Sequence, residues 1–232
     1  MLLINRFNFF VLFSVCTGLS LCALGITTKL SKTRTPPSTD VPSKGYPLLS
    51  RGALPAAFTA CLLSVMWGAI SAFFPLYAVS HGISNPGIFF TFFALMLIFG
   101  RVLGGKILDI YDREKVAFSC LVMVVLSMTL LPFSKTLPMF LLVAVILGIG
   151  WAFLYPSLFI YSVEHSGSFR GPAMATFSGL ADLGVGIGPM IMGILLEWTS
   201  YPVMFSCLTG ISVITLIYFY FAIGRRRRKS TR

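Results

Sequence analysis

One carboxylate stands alone in the middle of a long apolar stretch. Asp182 lies roughly ten residues inside the run 172–196, among glycines and aliphatic side chains. An ionised group there is costly, so it must face a cavity or a polar partner, and it marks function by default. Proton transfer is the chemistry such an acid can perform; a hydrogen-bonded or protonated structural Asp is the alternative reading. Gly179, Gly184, Gly186 and Gly188 surround it, and Pro189 follows. Small residues let helix backbones approach closely, and a mid-helix proline frees a carbonyl and bends the axis. The Gly184-x-Gly-x-Gly spacing has no strand before it, so it is no dinucleotide site. His81 and His165 fall in loops on opposite sides of the chain's apolar runs and cannot share a metal. The five cysteines (Cys16, Cys22, Cys61, Cys120, Cys207) sit inside apolar runs without metal-ligand or redox spacing. No catalytic triad, metal-protease or phosphate-cradling motif has its required context. The expectation is no enzyme, no metal and no cofactor.

The elements that position Asp182 follow from composition. Of 232 residues, 56% are hydrophobic and 11% charged, against about 45–50% apolar in soluble domains. One soluble core of this size could not hide that much apolar surface. The apolar residues form runs of bilayer-spanning length, not ten-residue alternations, which predicts all-α spans and not a β-barrel. The first run covers residues 7–28. Arg6 and the small residues near Cys22 would suit a signal peptide, but the run is long for one, and cleavage would export the basic stretch that follows. Residues 29–52 hold Pro36, Pro37, Pro42 and Pro47 among Ser, Thr, Lys and Arg, an irregular linker. Six further spans are predicted near 53–79, 88–107, 116–133, 138–162, 172–196 and 201–223. The domain reading is therefore a first helix (1–28), a cytoplasmic linker (29–52), a six-helix bundle (53–223) and a basic tail (224–232).

Net charge is +11, yet the basic residues cluster between apolar runs, which is how topology is encoded, not how nucleic acid is bound. Lys29, Lys32, Arg34, Lys44 and Arg51 lie in the linker, and Arg101, Lys106, Arg113 and Lys115 flank the next basic turn. Arg170 marks a third, and Arg225, Arg226, Arg227, Arg228, Lys229 and Arg232 form the tail. With seven spans, 16 of the 18 Lys and Arg share one side, and only Arg6 and Lys135 oppose them. The positive-inside rule then puts the linker and C-terminus in the cytoplasm of a multi-pass cell-membrane protein, with an external N-terminus.

The turn at residues 99–115, FGRVLGGKILDIYDREK, resembles the loop signature of the major facilitator superfamily: a Gly, an Asp four residues later, then basic residues. Gly105, Asp109, Arg113 and Lys115 match; Ile110 replaces a basic residue and Asp112 a second Gly. Such a degenerate copy is similar to the loop between the family's helices eight and nine. Tyr155-Pro156, Arg170-Gly171-Pro172 and the stretch from Asp182 to Gly193 resemble helices ten and eleven of drug- and sugar-efflux members. Gly184, Gly188 and Pro189 resemble the antiporter motif of helix five, whose symmetry mate is helix eleven. Residues 140–155 lack the Arg expected of helix four. The resemblance thus covers helix six, the central loop and helices seven to twelve; helices one to five have no counterpart.

The resemblance implies roles. Asp109, with Arg101, Lys106 and Arg113, would latch the cytoplasmic side; a lipid-headgroup flank is the alternative. Gly184, Gly188 and Pro189 would pack and bend a rocking interface. Ser64, Trp67, Ser71 and Phe74 in the second span, and Gly148, Trp151 and Tyr155 in the fifth, would line a cavity for a small organic solute, with plain packing as the alternative. Trp198 and Tyr201 suit interfacial anchors. The family's inverted three-helix repeats leave a faint echo, Trp67 with Pro75 and Trp151 with Pro156. The implied function is secondary transport by alternating access, which requires a separate N-terminal half or self-association. A non-transporting membrane interaction protein, or an inactive relic, is the reading from another class.

Overall fold

The computed structural model describes the backbone of residues 9–30, 50–110, 113–167 and 170–224, and the side chains of 13–28, 50–102, 115–167 and 170–222. Two units result, Met1–Gly45 and Tyr46–Arg232. The first holds helix α1 (Phe9–Leu30). The second is a bundle of α2 (Leu54–Ser80), α3 (Gly87–Ile110), α4 (Arg113–Leu130, continued by a 3₁₀ turn Leu131–Phe133), α5 (Leu137–Glu164), α6 (Arg170–Trp198) and α7 (Tyr201–Phe219, continued by a π turn Tyr220–Gly224). The fold is all-α, with each helix where an apolar run predicts one. Among the described residues, five helices are long and apolar enough to cross a membrane; the described apolar parts of α1 (Phe13–Thr28) and α3 (Gly87–Val102) are shorter.

Prolines set several helix starts. Pro55, Pro138 and Pro202 occupy the first turns of α2, α5 and α7, where the missing N–H costs nothing and the fixed φ suits a helix. The ends of α2 and α5 are built alike. His81 and His165 lie just past these helices, and each places its Nδ1 3.0 Å from the carbonyl of the tyrosine four residues earlier, Tyr77 or Tyr161. Gly82 (φ 77°) and Gly167 (φ 59°) then turn the chain in the left-handed region that other residues avoid.

That likeness is part of a longer one. Trp67 and Trp151, Tyr77 and Tyr161, Val79 and Val163, His81 and His165, and Gly100 and Gly184 all stand 84 residues apart. Buried positions repeat at the same spacing: Ala60 with Ala144, Leu63 with Leu147, Phe93 with Phe177, Leu121 with Phe205 and Val124 with Leu208. The packing obeys the same exchange. α2 packs on α6 as α5 packs on α3, α4 on α5 as α7 on α2, while α2·α5 and α4·α7 map onto themselves. Because α5 starts three traversals after α2, it runs the opposite way, so α2–α4 and α5–α7 are inverted repeats. The tryptophans of the sequence echo belong to this repeat. The prolines do not, since Pro75 and Pro156 are 81 residues apart.

Glycines decide how close the helices come. A Cβ added at Gly184 would overlap the Cys61 carbonyl, one at Gly188 the Val65 carbonyl, and one at Gly68 the Val185 carbonyl and Pro189 Cδ. The α2–α6 seam is therefore backbone against backbone, with glycines contributed from both sides. On α5, Gly148 meets Phe93 and Met96 of α3, while Gly150 meets Cys120, Met123 and Val124 of α4. Several buried hydroxyls return to their own helices: Thr59 donates to Pro55 O, Ser157 to Phe153 O and Thr215 to Ile211 O, satisfying in place groups that hydrocarbon would penalise. Tyr77 Oη donates to Pro132 O and Ser134 O at 3.2 and 3.1 Å, fastening the end of α2 to the α4–α5 turn.

Gly184→Leu should lower the unfolding free energy of the bundle in mixed micelles by about 1–3 kcal/mol, the cost of overpacking a closed seam. Gly186→Leu, where an added Cβ meets nothing, should stay within about 0.5 kcal/mol. Tyr77→Phe, which strips the donor from two buried carbonyls, should cost about 1 kcal/mol in the same assay.

Candidate functional site: the α2, α5 and α6 faces

The residues predicted to line a cavity separate into two groups. Ser64 is buried, and its Cβ abuts the position where Gly184 lacks one; it belongs to the α2–α6 seam. Phe74 is 1% exposed. Its ring centroid lies 3.9 Å from that of Phe89, 5.2 Å from Phe140 and 5.9 Å from Phe90, an aromatic core joining α2, α3 and α5. Trp67, Trp151 and Tyr155 are half-buried and Ser71 is exposed. These four remain available to a wall; Ser64 and Phe74 do not reach one.

Trp67 is the centre of that set. Its ring stacks on Phe93 at 4.6 Å and lies 5.7 Å from Trp151 and 6.3 Å from Phe90. Related by the repeat, Trp67 and Trp151 meet each other where α2 packs on α5. Gly148, one turn before Trp151, is buried against α3 and supports the ring pair without facing an opening. Sequence reasoning missed Phe90, Phe93 and Gly68; the 84-residue spacing was the signal for the tryptophan pair and the tyrosine–histidine ends.

Two faces of α6 do different work. Ala181, Gly184, Gly188 and Met192 are buried, and Pro189, inside the helix, lies beside Gly68. Ser178, Gly179, Asp182 and Gly186 are exposed on another face, and nothing lies within 4 Å of a Cβ placed at Gly179 or Gly186. Tyr155 of α5 packs edge-on to Phe177 of α6 with centroids 5.3 Å apart, little more than one helical turn before Asp182. The acid is thus carried at the surface of the bundle, on the helix that packs against Tyr155 through Phe177. In the loop signature, Arg101 and Lys115 are exposed; the side chains of Gly105, Asp109 and Arg113 lie outside the described residues. Among the described residues no group of three His, Cys, Asp or Glu could hold a metal ion.

The profile of the Major Facilitator Superfamily matches residues 1–165 and, overlapping, 57–232. The chain belongs to this superfamily. It is 29% identical over 163 residues to the staphylopine export protein of Staphylococcus aureus, covering 68% of this chain and 41% of that protein. It is 24% identical over 206 residues to the uncharacterized MFS-type transporter YhhS of Escherichia coli, covering 86% of this chain and 51% of the relative. The YhhS of Salmonella typhi is 23% identical over the same length. The chain therefore spans about half the length of the curated relatives it matches. These relatives are transporters and not enzymes, and the superfamily member described above is a multi-pass membrane protein.

Phe74→Ala should destabilise the bundle by about 3–5 kcal/mol, the range for a buried aromatic, whereas Ser71→Ala should change stability by under about 0.5 kcal/mol. Thermal or denaturant unfolding of the two variants side by side separates core from wall.

Proposed function

We propose that this chain is the C-terminal half of a major-facilitator secondary transporter, with α1 as the family's helix six and α2–α7 as helices seven to twelve. It works by alternating access, rocking against a second six-helix bundle around a site near the midplane. The observation that carries this reading is Asp182, a carboxylate at mid-span on the exposed face of α6. Lipid is a poor neighbour for an acid at that depth. A facing protein bundle and the aqueous path between the two satisfy it. Coverage of about half the length of the relatives supports the same view. The facing bundle is an N-terminal half or a second copy of this chain.

The solute is a small organic molecule with apolar and polar parts, suited to Trp67, Trp151, Tyr155 and Ser71. Asp182 is the coupling group, taking up and releasing a proton as access alternates. Arg101, Gly105, Asp109, Arg113 and Lys115 form the cytoplasmic latch, which biases the populations of the two access states. Export is the direction we assign, following the name of one relative. The linker and tail face the cytoplasm under the positive-inside rule.

Co-expression of this chain with a candidate N-terminal half should give proton-gradient-dependent solute movement in vesicles that neither half gives alone. No gain over the single halves counts against the proposal and favours a non-transporting membrane scaffold. Asp182→Asn should abolish gradient-driven accumulation while leaving solute exchange; undiminished accumulation removes Asp182 from coupling. Cysteines placed at Lys44 and Arg232 should be labelled from the same, cytoplasmic side.

A further inference from the structure

A groove of about 320 Å³ runs between α4 and α5, lined by Lys115, Val116, Ser119, Cys120, Met123, Ile149 and Phe153. That volume lies at the lower end of small-molecule sites. Its chemistry is graded. Lys115, Ser119 and Met123 recur every fourth residue on α4 and so share one face, each about one 5.4 Å turn deeper than the last. An ammonium stands in the first turn of α4, a hydroxyl one turn in and a thioether two turns in, with Ile149 and Phe153 of α5 as the opposite wall. Lys115 and Ser119 are exposed, whereas Cys120 is buried and closes the floor. Neither Asp182 nor the Trp67–Trp151 pair lines it.

We propose that this groove is a binding site for one anionic phospholipid. The order of groups down α4 matches the order within the lipid: phosphate on the Lys115 ammonium, the ester region beside the Ser119 hydroxyl, and an acyl chain along Met123, Ile149 and Phe153. Lys115 is at the bundle end that carries the clustered cations, and a lysine at that level draws anionic headgroups. Its aliphatic stem can lie along the groove while the charge stays at the interface. The rest of the lining is almost wholly apolar, which favours a chain-bearing ligand over a free polar one. The site needs only a membrane-embedded bundle and stands whether or not the chain transports a solute.

Native mass spectrometry of the full chain, delipidated and titrated with defined lipids, tests this. The protein should retain one phosphatidylglycerol in preference to phosphatidylcholine of the same chain length. Lys115→Gln should weaken that preference by about fivefold, and Lys115→Arg should restore it. Ser119→Phe, which fills the groove, should remove the retained lipid of either headgroup; unchanged helical circular dichroism of each variant establishes that it is folded. Equal retention of the two lipids, a Lys115→Gln variant that keeps the preference, or full competition by glycerol 1-phosphate would each overturn the proposal. The last result would mean that a phosphate alone is recognised, without the chain.

Discussion

Helices immersed in lipid gain nothing by hiding apolar side chains from one another, because the surroundings are equally apolar. What holds them together is the closeness of backbone to backbone, and in this bundle that closeness is set by glycine. Gly184 and Gly188 admit the carbonyls of Cys61 and Val65, while Gly68 admits that of Val185. Everything else in the bundle is built around this contact. It fixes the rotation of α6, so the small residues turn inward and Asp182 turns outward. It also brings α2 to the depth at which Trp67 reaches Trp151.

The same physics explains the uneven use of aromatic residues. Phe74, Phe89 and Phe140 fill the space between three helices with tilted and edge-on rings. Elsewhere alanine or glycine makes the contact, as at Gly100 against Ala152, with the Phe153 ring alongside. Each repeat solves this in its own way. On α2, the seam residue at the repeat position of Gly148 is Ser64, whose Cβ abuts Gly184 of α6, whereas Gly148 itself abuts Phe93 and Met96 of α3. The inverted repeats share a fold and divide the small residues differently.

Much of this was legible in the sequence. Seven apolar runs of spanning length gave the helices, and the signature around Gly105 and Asp109, with the glycine-proline run of α6, gave the family. The division of residues between wall and core was not legible. Ser64, Trp67, Ser71 and Phe74 suggest one face by their spacing, but a face of α2 meets α3, α5 and α6 at different heights. The same stripe is therefore seam at Ser64, ring stack at Trp67, surface at Ser71 and core at Phe74. Hydropathy cannot separate these, since inner and outer faces of a membrane helix are equally apolar. The 84-residue repeat was present in the sequence all along. It was obscured because identical residues are few, and the prolines beside the tryptophans fall out of register.

The chain enters α2 under restraint. Ser50 N–H donates to Thr176 Oγ1 at 3.2 Å, and Gly52 lies so close to the His165 carbonyl that no side chain would fit between them. Ser50 and Ser166 are both buried at this junction. The final residues ahead of the bundle are thus riveted to the ends of α5 and α6 as well as to α2. The point at which the chain enters the bundle is therefore set jointly by three helices from two different repeats, and a side chain at position 52 would disturb all of them at once.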